Sequence, residues 1–205
     1  MPSPHSGSSL AMSLFQLPPG RRSFLFKAGK VKVLAARDCF APHTRNGPHR
    51  YYLDYIFGGA STGQNDGPER ILMACGCNPA TATRHGSDKT VSKLVNVARQ
   101  WGFTRLLMAN VFSYCDKNPA NLKVPGLVLW DRHTDRFLKT MVANAQAFLC
   151  CWGAPAVDLN ANRCAEIEAM LRATHKPLFC LGYLQSADIP KHPRRLKYPA
   201  AQVPF

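Results

Sequence analysis

Two asparagines, a histidine and a pair of arginines are the residues of this chain whose chemistry suits a nucleotide: Asn78, Asn110, His192, Arg194 and Arg195. An asparagine amide presents a donor and an acceptor side by side, matching the edge of a base. A guanidinium pairs with phosphate oxygens through parallel N–H groups. A histidine can hydrogen-bond, or stabilise negative charge that develops on a leaving group. Lys191 and Lys197 extend the positive run around His192, and the four basic residues of this tail are read as contacts to a nucleic-acid backbone. Each residue also has a plain structural use. Asn78-Pro79 is an ordinary turn pair. A strand-end Asn110 commonly caps a backbone group, and His192 among lysines and arginines suits a solvated tail. What raises them together is a shared place in the pattern of elements.

The 205-residue chain carries 26 Lys+Arg against 12 Asp+Glu, a formal charge of +14. Such an excess favours a polyanionic partner, nucleic acid first, over the plainer uses of a basic surface for solubility or an anionic membrane face. A composition 46% hydrophobic and 19% charged is that of a globular protein and excludes wholesale disorder. No apolar run nears the ~18–20 residues that cross a bilayer, so no membrane partner is expected. The 8 cysteines show no C-x-x-C spacing and sit mostly in apolar runs, as buried thiols do. Adjacent residues on a strand face opposite ways, which bars Cys150 and Cys151 from sharing one ion. With no secretory h-region visible, the expectation is free thiols in a reducing cytoplasm, with no metal and no cofactor.

Residues 1–22 are rich in Ser, Pro and Gly and hold no acid, which predicts a disordered basic arm; the same composition also suits an organellar transit peptide. A single domain is expected over residues 23–205. Val31, Val33 and Ala35 alternate as in a strand across residues 30–36, and the aromatic stretch 49–57 is a second strand. Residues 58–70 have loop composition. From Ile71 onward, buried strands at 71–74, 106–112, 148–152 and 178–184 alternate with amphipathic helices. The first helix carries Val91, Leu94, Val95, Ala98 and Trp101 on one face, with Ser87 or Asp88 as cap and Gly102 as stop. Phe137, Leu138, Met141, Val142 and Ala145 mark the second helix, and Cys164, Ile167 and Leu171 the third. This order predicts an α/β fold, a three-layer sandwich with a mostly parallel central sheet. Ligands of such sheets bind outside the carboxyl ends of the strands. Residues 75–80, 110–113 and 152–156 and the tail after Leu184 all follow strands, so Asn78, Asn110, Phe112 and His192 are expected along one edge.

The segments I-L-M-A-C-G-C-N-P-A-T-A (71–82), S-D-K-T (87–90) and A-R-Q-W-G-F (98–103) resemble the bacterial and phage domain-of-unknown-function family 1643. Its motifs run L-N-P-S-T-A-D, D-D-P-T and a helix ending R-x-W-G. Arg50-Tyr51-Tyr52-Leu53, Asn110-Val111-Phe112, Cys151-Trp152-Gly153 and Pro190-Lys191-His192-Pro193 also fit, so the resemblance covers roughly residues 50–198. A more distant resemblance is to the uracil-DNA glycosylase superfamily. Its G-x-N-P loop is similar to Gly76-Cys77-Asn78-Pro79, its L-L-N strand end to Met108-Ala109-Asn110, its W-G-x-x-A strand end to Trp152-Gly153-Ala154-Pro155-Ala156, and its H-P-S-P loop to His192-Pro193-Arg194-Arg195. This second resemblance implies a glycosylase-like fold in which Asn78 positions a water, Asn110 (with Phe112 beside it) reads an extruded base, and His192 stabilises the departing base anion.

The expected function is base handling on nucleic acid, DNA ahead of RNA, by an N-glycosylase-like hydrolase or base-modifying enzyme. Two alternatives stand beside it. One is a non-catalytic nucleic-acid-binding protein or subunit of a nucleoprotein assembly. The other is an enzyme acting on free nucleotides.

Overall fold

The computed structural model of the protein describes residues 26–28, 30–58, 68–184 and 187–205; the arm expected over 1–22 and most of the 58–70 loop lie outside the described residues. Three strands form the centre: β5 (Ile71–Gly76), β6 (Arg105–Asn110) and β7 (Ala147–Cys150), after β1 (Phe26–Ala28), β2 (Val31–Val33), β3 (Ala35–Thr44) and β4 (Gly47–Ile56). Every residue of β5, β6 and β7 is buried. Strands covered on both faces read as unbroken apolar runs, which is why these segments stand out in the sequence.

Alternate side chains divide between two cores, as the two-residue period of a strand requires. Leu72, Ala74, Leu106, Met108 and Leu149 face α1 (Lys89–Gln100) and the β1–β2 hairpin. Met73, Cys75, Leu107, Ala109, Phe148 and Cys150 face α2 (Arg132–Asn144) and α3 (Ala154–Arg172). Cys150 and Cys151 accordingly fall in different cores. On α1, Val91, Leu94, Val95 and Ala98 are buried, and burying each larger aliphatic side chain contributes ~1.5–3 kcal/mol. Asp88 caps this helix by accepting from the Val91 N–H, and Gly102, at φ +79°, takes the chain out of it.

The seven-stranded sheet has the order β11-β8-β7-β5-β6-β4-β3, with β8 (Leu178–Cys180) and β11 (Val203–Pro204) at one side. β8, β7, β5 and β6 are parallel; β4 and β11 run antiparallel to their neighbours. The architecture is therefore mixed α/β, with a parallel centre and antiparallel flanks. From β5 the chain crosses one way to β6, then returns past β5 to β7. The loops after β5 and β7 thus lead to opposite sides, and such a reversal opens a crevice between the strand ends.

Three expectations change. The strand expected over 178–184 stops at Cys180, because Gly182 turns at φ +97°. Tyr183–Leu184 (β9) instead pairs with Ala187–Pro190 (β10) as a separate hairpin. That hairpin folds the tail back toward the sheet, and the Lys191 N–H donates to the Gly182 carbonyl. β11 adds an edge strand that its few residues give no pattern to reveal. The strand expected over 30–36 divides: Val31 and Val33 belong to β2, and Ala35 opens the ten-residue β3, whose irregular register with β4 explains why residues 37–44 show no clean period.

Candidate functional site

A cleft of about 1350 Å³ opens at the carboxyl edge of the parallel strands. It exceeds the ~300–1,000 Å³ of ordinary small-molecule pockets. Asn78, Asn110, Lys191, His192, Arg194, Arg195 and Lys197 all line it. Lysine and arginine predominate: Arg50, Lys117, Lys191, Arg194, Arg195 and Lys197 stand against Asp88 and Asp116. Oriented cations in a concave wall concentrate anions there.

Asn110 ends β6 with 6% of its surface exposed, and its amide makes no hydrogen bond among the described residues. The amide is open to the cleft, so its donor and acceptor are available to a ligand. Gly76 makes the room. A Cβ there would lie 2.9 Å from the Asn110 Oδ1 and 2.8 Å from the Met108 Cε.

Asn78 sits on the loop after β5. Its Nδ2 donates to the carbonyls of Pro79 at 3.0 Å and Asp116 at 2.8 Å. Two carbonyl acceptors fix which end of the amide is nitrogen, leaving Oδ1 to accept from a further group. The amide nitrogen thus holds the turn, while the oxygen is left for another donor.

His192 caps the short 3-10 turn Pro193–Arg195, its Nδ1 accepting from the Arg194 N–H at 3.1 Å. In the neutral ring the proton then resides on Nε2, which can donate. Burial, with Arg194 and Lys93 nearby, holds the imidazole below its ordinary pKa, against a smaller opposing pull from Asp88. Gly153, at φ +72°, admits the tail: a Cβ there would come within 3.0 Å of the His192 Cβ. The Lys93 ammonium donates to the Pro193 and Arg194 carbonyls, tying the turn to α1.

Phe112 does not belong to the cleft. It is fully buried, with its ring against Trp130 at 5.8 Å beneath α2 and α3. Beyond Asn110 the backbone follows the β5 loop, the Val111 and Phe112 N–H groups donating to the Gly76 and Cys77 carbonyls, and the ring enters the core, where its apolar surface is best buried. The expected base contact of Phe112 is therefore corrected to a packing role.

Arg50 is the residue that strand-end reasoning misses. It lies near the start of β4, and β4 is antiparallel to β6, so its leading residues reach the same edge as the trailing residues of β6. The Arg50 N–H donates to the Ser113 carbonyl, and the guanidinium donates to the Ala82 carbonyl. Including the antiparallel neighbour in the edge inventory would have found it.

All eight cysteines are free thiols. Burial pushes Cys75 well above its ordinary value and Cys77 to about 12, so both are protonated at neutral pH. Among the described residues no cluster of three or more His, Cys, Asp or Glu has a geometry fit for a metal ion, and no helix is long and apolar enough to cross a membrane.

No curated protein and no solved structure matches the chain. A family model does. Residues 50–194, which run from the buried arginine of β4 through the first arginine of the basic tail, match the family described as "Protein of unknown function (DUF1643)", and the chain belongs to that family.

Proposed function

We propose that the protein binds DNA along the basic cleft and takes one unstacked base into its inner end. There it hydrolyses the base–sugar bond in the manner of the uracil-DNA glycosylase superfamily. The observation that carries this reading is Asn110, an idle amide only 6% exposed and lining a wall of lysine and arginine. An amide placed so pairs with a base edge that has left its stack. The Asn78 Oδ1 accepts from a water molecule, and the His192 Nε2–H donates to the base as negative charge collects on it. The water oxygen bonds to the sugar carbon, the carbon–nitrogen bond breaks with its electron pair on the base, and the water proton passes to solvent.

Nucleic-acid binding without catalysis is the second reading, and the cleft's two carboxylates favour it. Asp88 accepts from the Val91 and Ala82 N–H groups, and Asp116 from the Asn118 N–H and the Asn121 amide. Neither is idle enough to serve readily as a base for water.

The test is base release from DNA duplexes carrying uracil or a mismatched thymine. Asn78→Ala and His192→Ala lower turnover by ~10²–10³, the usual loss for one positioning or charge-stabilising hydrogen bond. Asn110→Ala relaxes the choice of base. Melting temperatures are read alongside, because Asn78 also holds two carbonyls and His192 caps a turn. Binding with no release from any of these DNAs leaves the second reading standing and removes the first.

A further inference from the structure

Of the charged side chains that line the cleft, Arg50 alone is buried, with 4% of its surface exposed. No carboxylate pairs with it among the described residues. Asp88 and Asp38 act on it from a distance, but their oxygens bond other groups: Asp88 accepts from the Val91 and Ala82 N–H groups, and Asp38 pairs with Arg84. A buried guanidinium with no carboxylate in direct contact is costly to keep, and a ligand that brings negative charge to it would offset that cost. Holding the 80–88 loop does not require it. The Tyr55 hydroxyl already bonds the Thr83 and Gly86 carbonyls, and Asp38 accepts from the Arg84 N–H.

We propose that Arg50 is the phosphate-binding residue of the cleft and that the group reaching it is a terminal phosphate, carried by a nucleotide or by the phosphorylated end of a strand. This rests on reading the cleft as a nucleotide site. The cleft has two tiers of cations. Lys117, Lys191, Arg194, Arg195 and Lys197 are exposed and meet a backbone that lies along the surface. Arg50 lies deeper. An internal phosphate carries a nucleotide on each side and would have to draw both inward to reach it, whereas a terminal phosphate arrives end-on. Having given one N–H to Ala82, the guanidinium keeps its remaining donors for two phosphate oxygens, the geometry it binds best.

The experiment titrates the full chain with two matched pairs: a nucleoside 5′-monophosphate against its nucleoside, and a single-stranded oligonucleotide with a 5′-phosphate against the same oligonucleotide without it. The phosphorylated member of at least one pair binds ~10-fold or more tightly, in line with a charge-assisted bidentate contact. The pair that shows the preference tells a free nucleotide from a strand end. Arg50→Met removes the preference and leaves the salt dependence of binding the unphosphorylated oligonucleotide in place. Should that variant fail to fold, the wild-type comparison still decides, and Arg50→Lys, which keeps the charge and loses the fork, weakens the preference. Equal affinities within both pairs, a preference that survives in Arg50→Met, or no binding of any probe would each overturn the proposal. A phosphate preference without base release removes the glycosylase chemistry and keeps the Arg50 site; base release without the preference does the reverse.

Discussion

Arg105 and Arg50 are equally buried, each 4% exposed, and belong to neighbouring strands of one sheet, yet they lie at opposite edges. Arg105 opens β6, away from the cleft. It meets both carboxylate oxygens of Asp54, at 2.7 and 2.8 Å, and also pairs with Glu69, while Asp54 takes a second arginine in Arg37. Burial opposes the charge on Arg105, but the Asp54 hydrogen bonds outweigh it and raise its pKa. Arg50 has the burial without the pairing, and its pKa is lowered. Arg163 repeats the first pattern between α2 and α3, between Asp135 and Glu166. The difference teaches that burial does not separate a structural arginine from a ligand-binding one. The presence of a counter-charge inside the fold does.

The largest effect expected from this comparison is on stability. Asp54→Ala removes the carboxylate that Arg105 and Arg37 share and should cost about 3–5 kcal/mol, the range for removing one partner of a buried ion pair. Arg50→Met loses a hydrogen bond and also a buried charge that no carboxylate contacts, so its stability should change by less than about 1 kcal/mol. Urea unfolding of both variants measures the contrast. An Arg50→Met loss as large as that of Asp54→Ala would break it, and would make Arg50 a structural anchor of the Ala82 loop.

A smaller effect separates the deep cation from the exposed ones. Replacing Lys191, Arg194, Arg195 and Lys197 together by glutamine should flatten the dependence of log affinity on log salt by up to ~3–4, since each phosphate contact to a duplex contributes ~0.9 to that slope. Arg50→Met should leave the duplex slope nearly unchanged. Fluorescence anisotropy across a salt series decides this, and an unchanged slope in the fourfold variant would mean that the tail does not line the path of the backbone.

Much of this geometry is legible in the sequence because it follows from parallel strands. Ile71, Leu106 and Phe148 begin or lie in apolar runs that a strand covered on both faces must have, and whatever follows such a run lies at the ligand edge. That reasoning puts Asn78, Asn110 and His192 at one edge, and all three line one cleft. It reaches too far at Phe112, where position along the chain points to the cleft but an aromatic side chain gains more from the core. It falls short at Arg50, because an antiparallel strand brings its beginning, not its end, to that edge. The β9–β10 hairpin is equally hidden: two-residue strands have no period, and Gly182 gives the turn but not the direction of the return.

The smallest expected effect concerns His49, next to Arg50 and fully buried. Its Nδ1 bonds the Ser113 hydroxyl at 2.8 Å, Ser113 bonds Thr134 at 2.7 Å, and the Thr134 hydroxyl donates to Asp131, which also accepts from Tyr51. The chain of polar groups ends at the imidazole, because its Nε2 is buried without a partner among the described residues. Protonation would add a charge to this buried ring. Burial accordingly lowers the His49 pKa, only partly offset by Asp131 and a backbone hydrogen bond near Asn46. The folded protein then holds this proton less tightly than the unfolded chain does. Stability is complete above the ordinary histidine value near 6.5 and declines as pH falls through it toward the folded value. His192, lowered in the same direction, adds to the decline. Melting temperature should therefore drop between about pH 7.5 and 5.5, and drop less in His49→Asn, whose amide keeps a partner for Ser113 but does not titrate. Identical pH profiles for the two proteins would show that the buried polar chain accommodates the second proton, and that His49, unlike Arg50, is already complete within the fold.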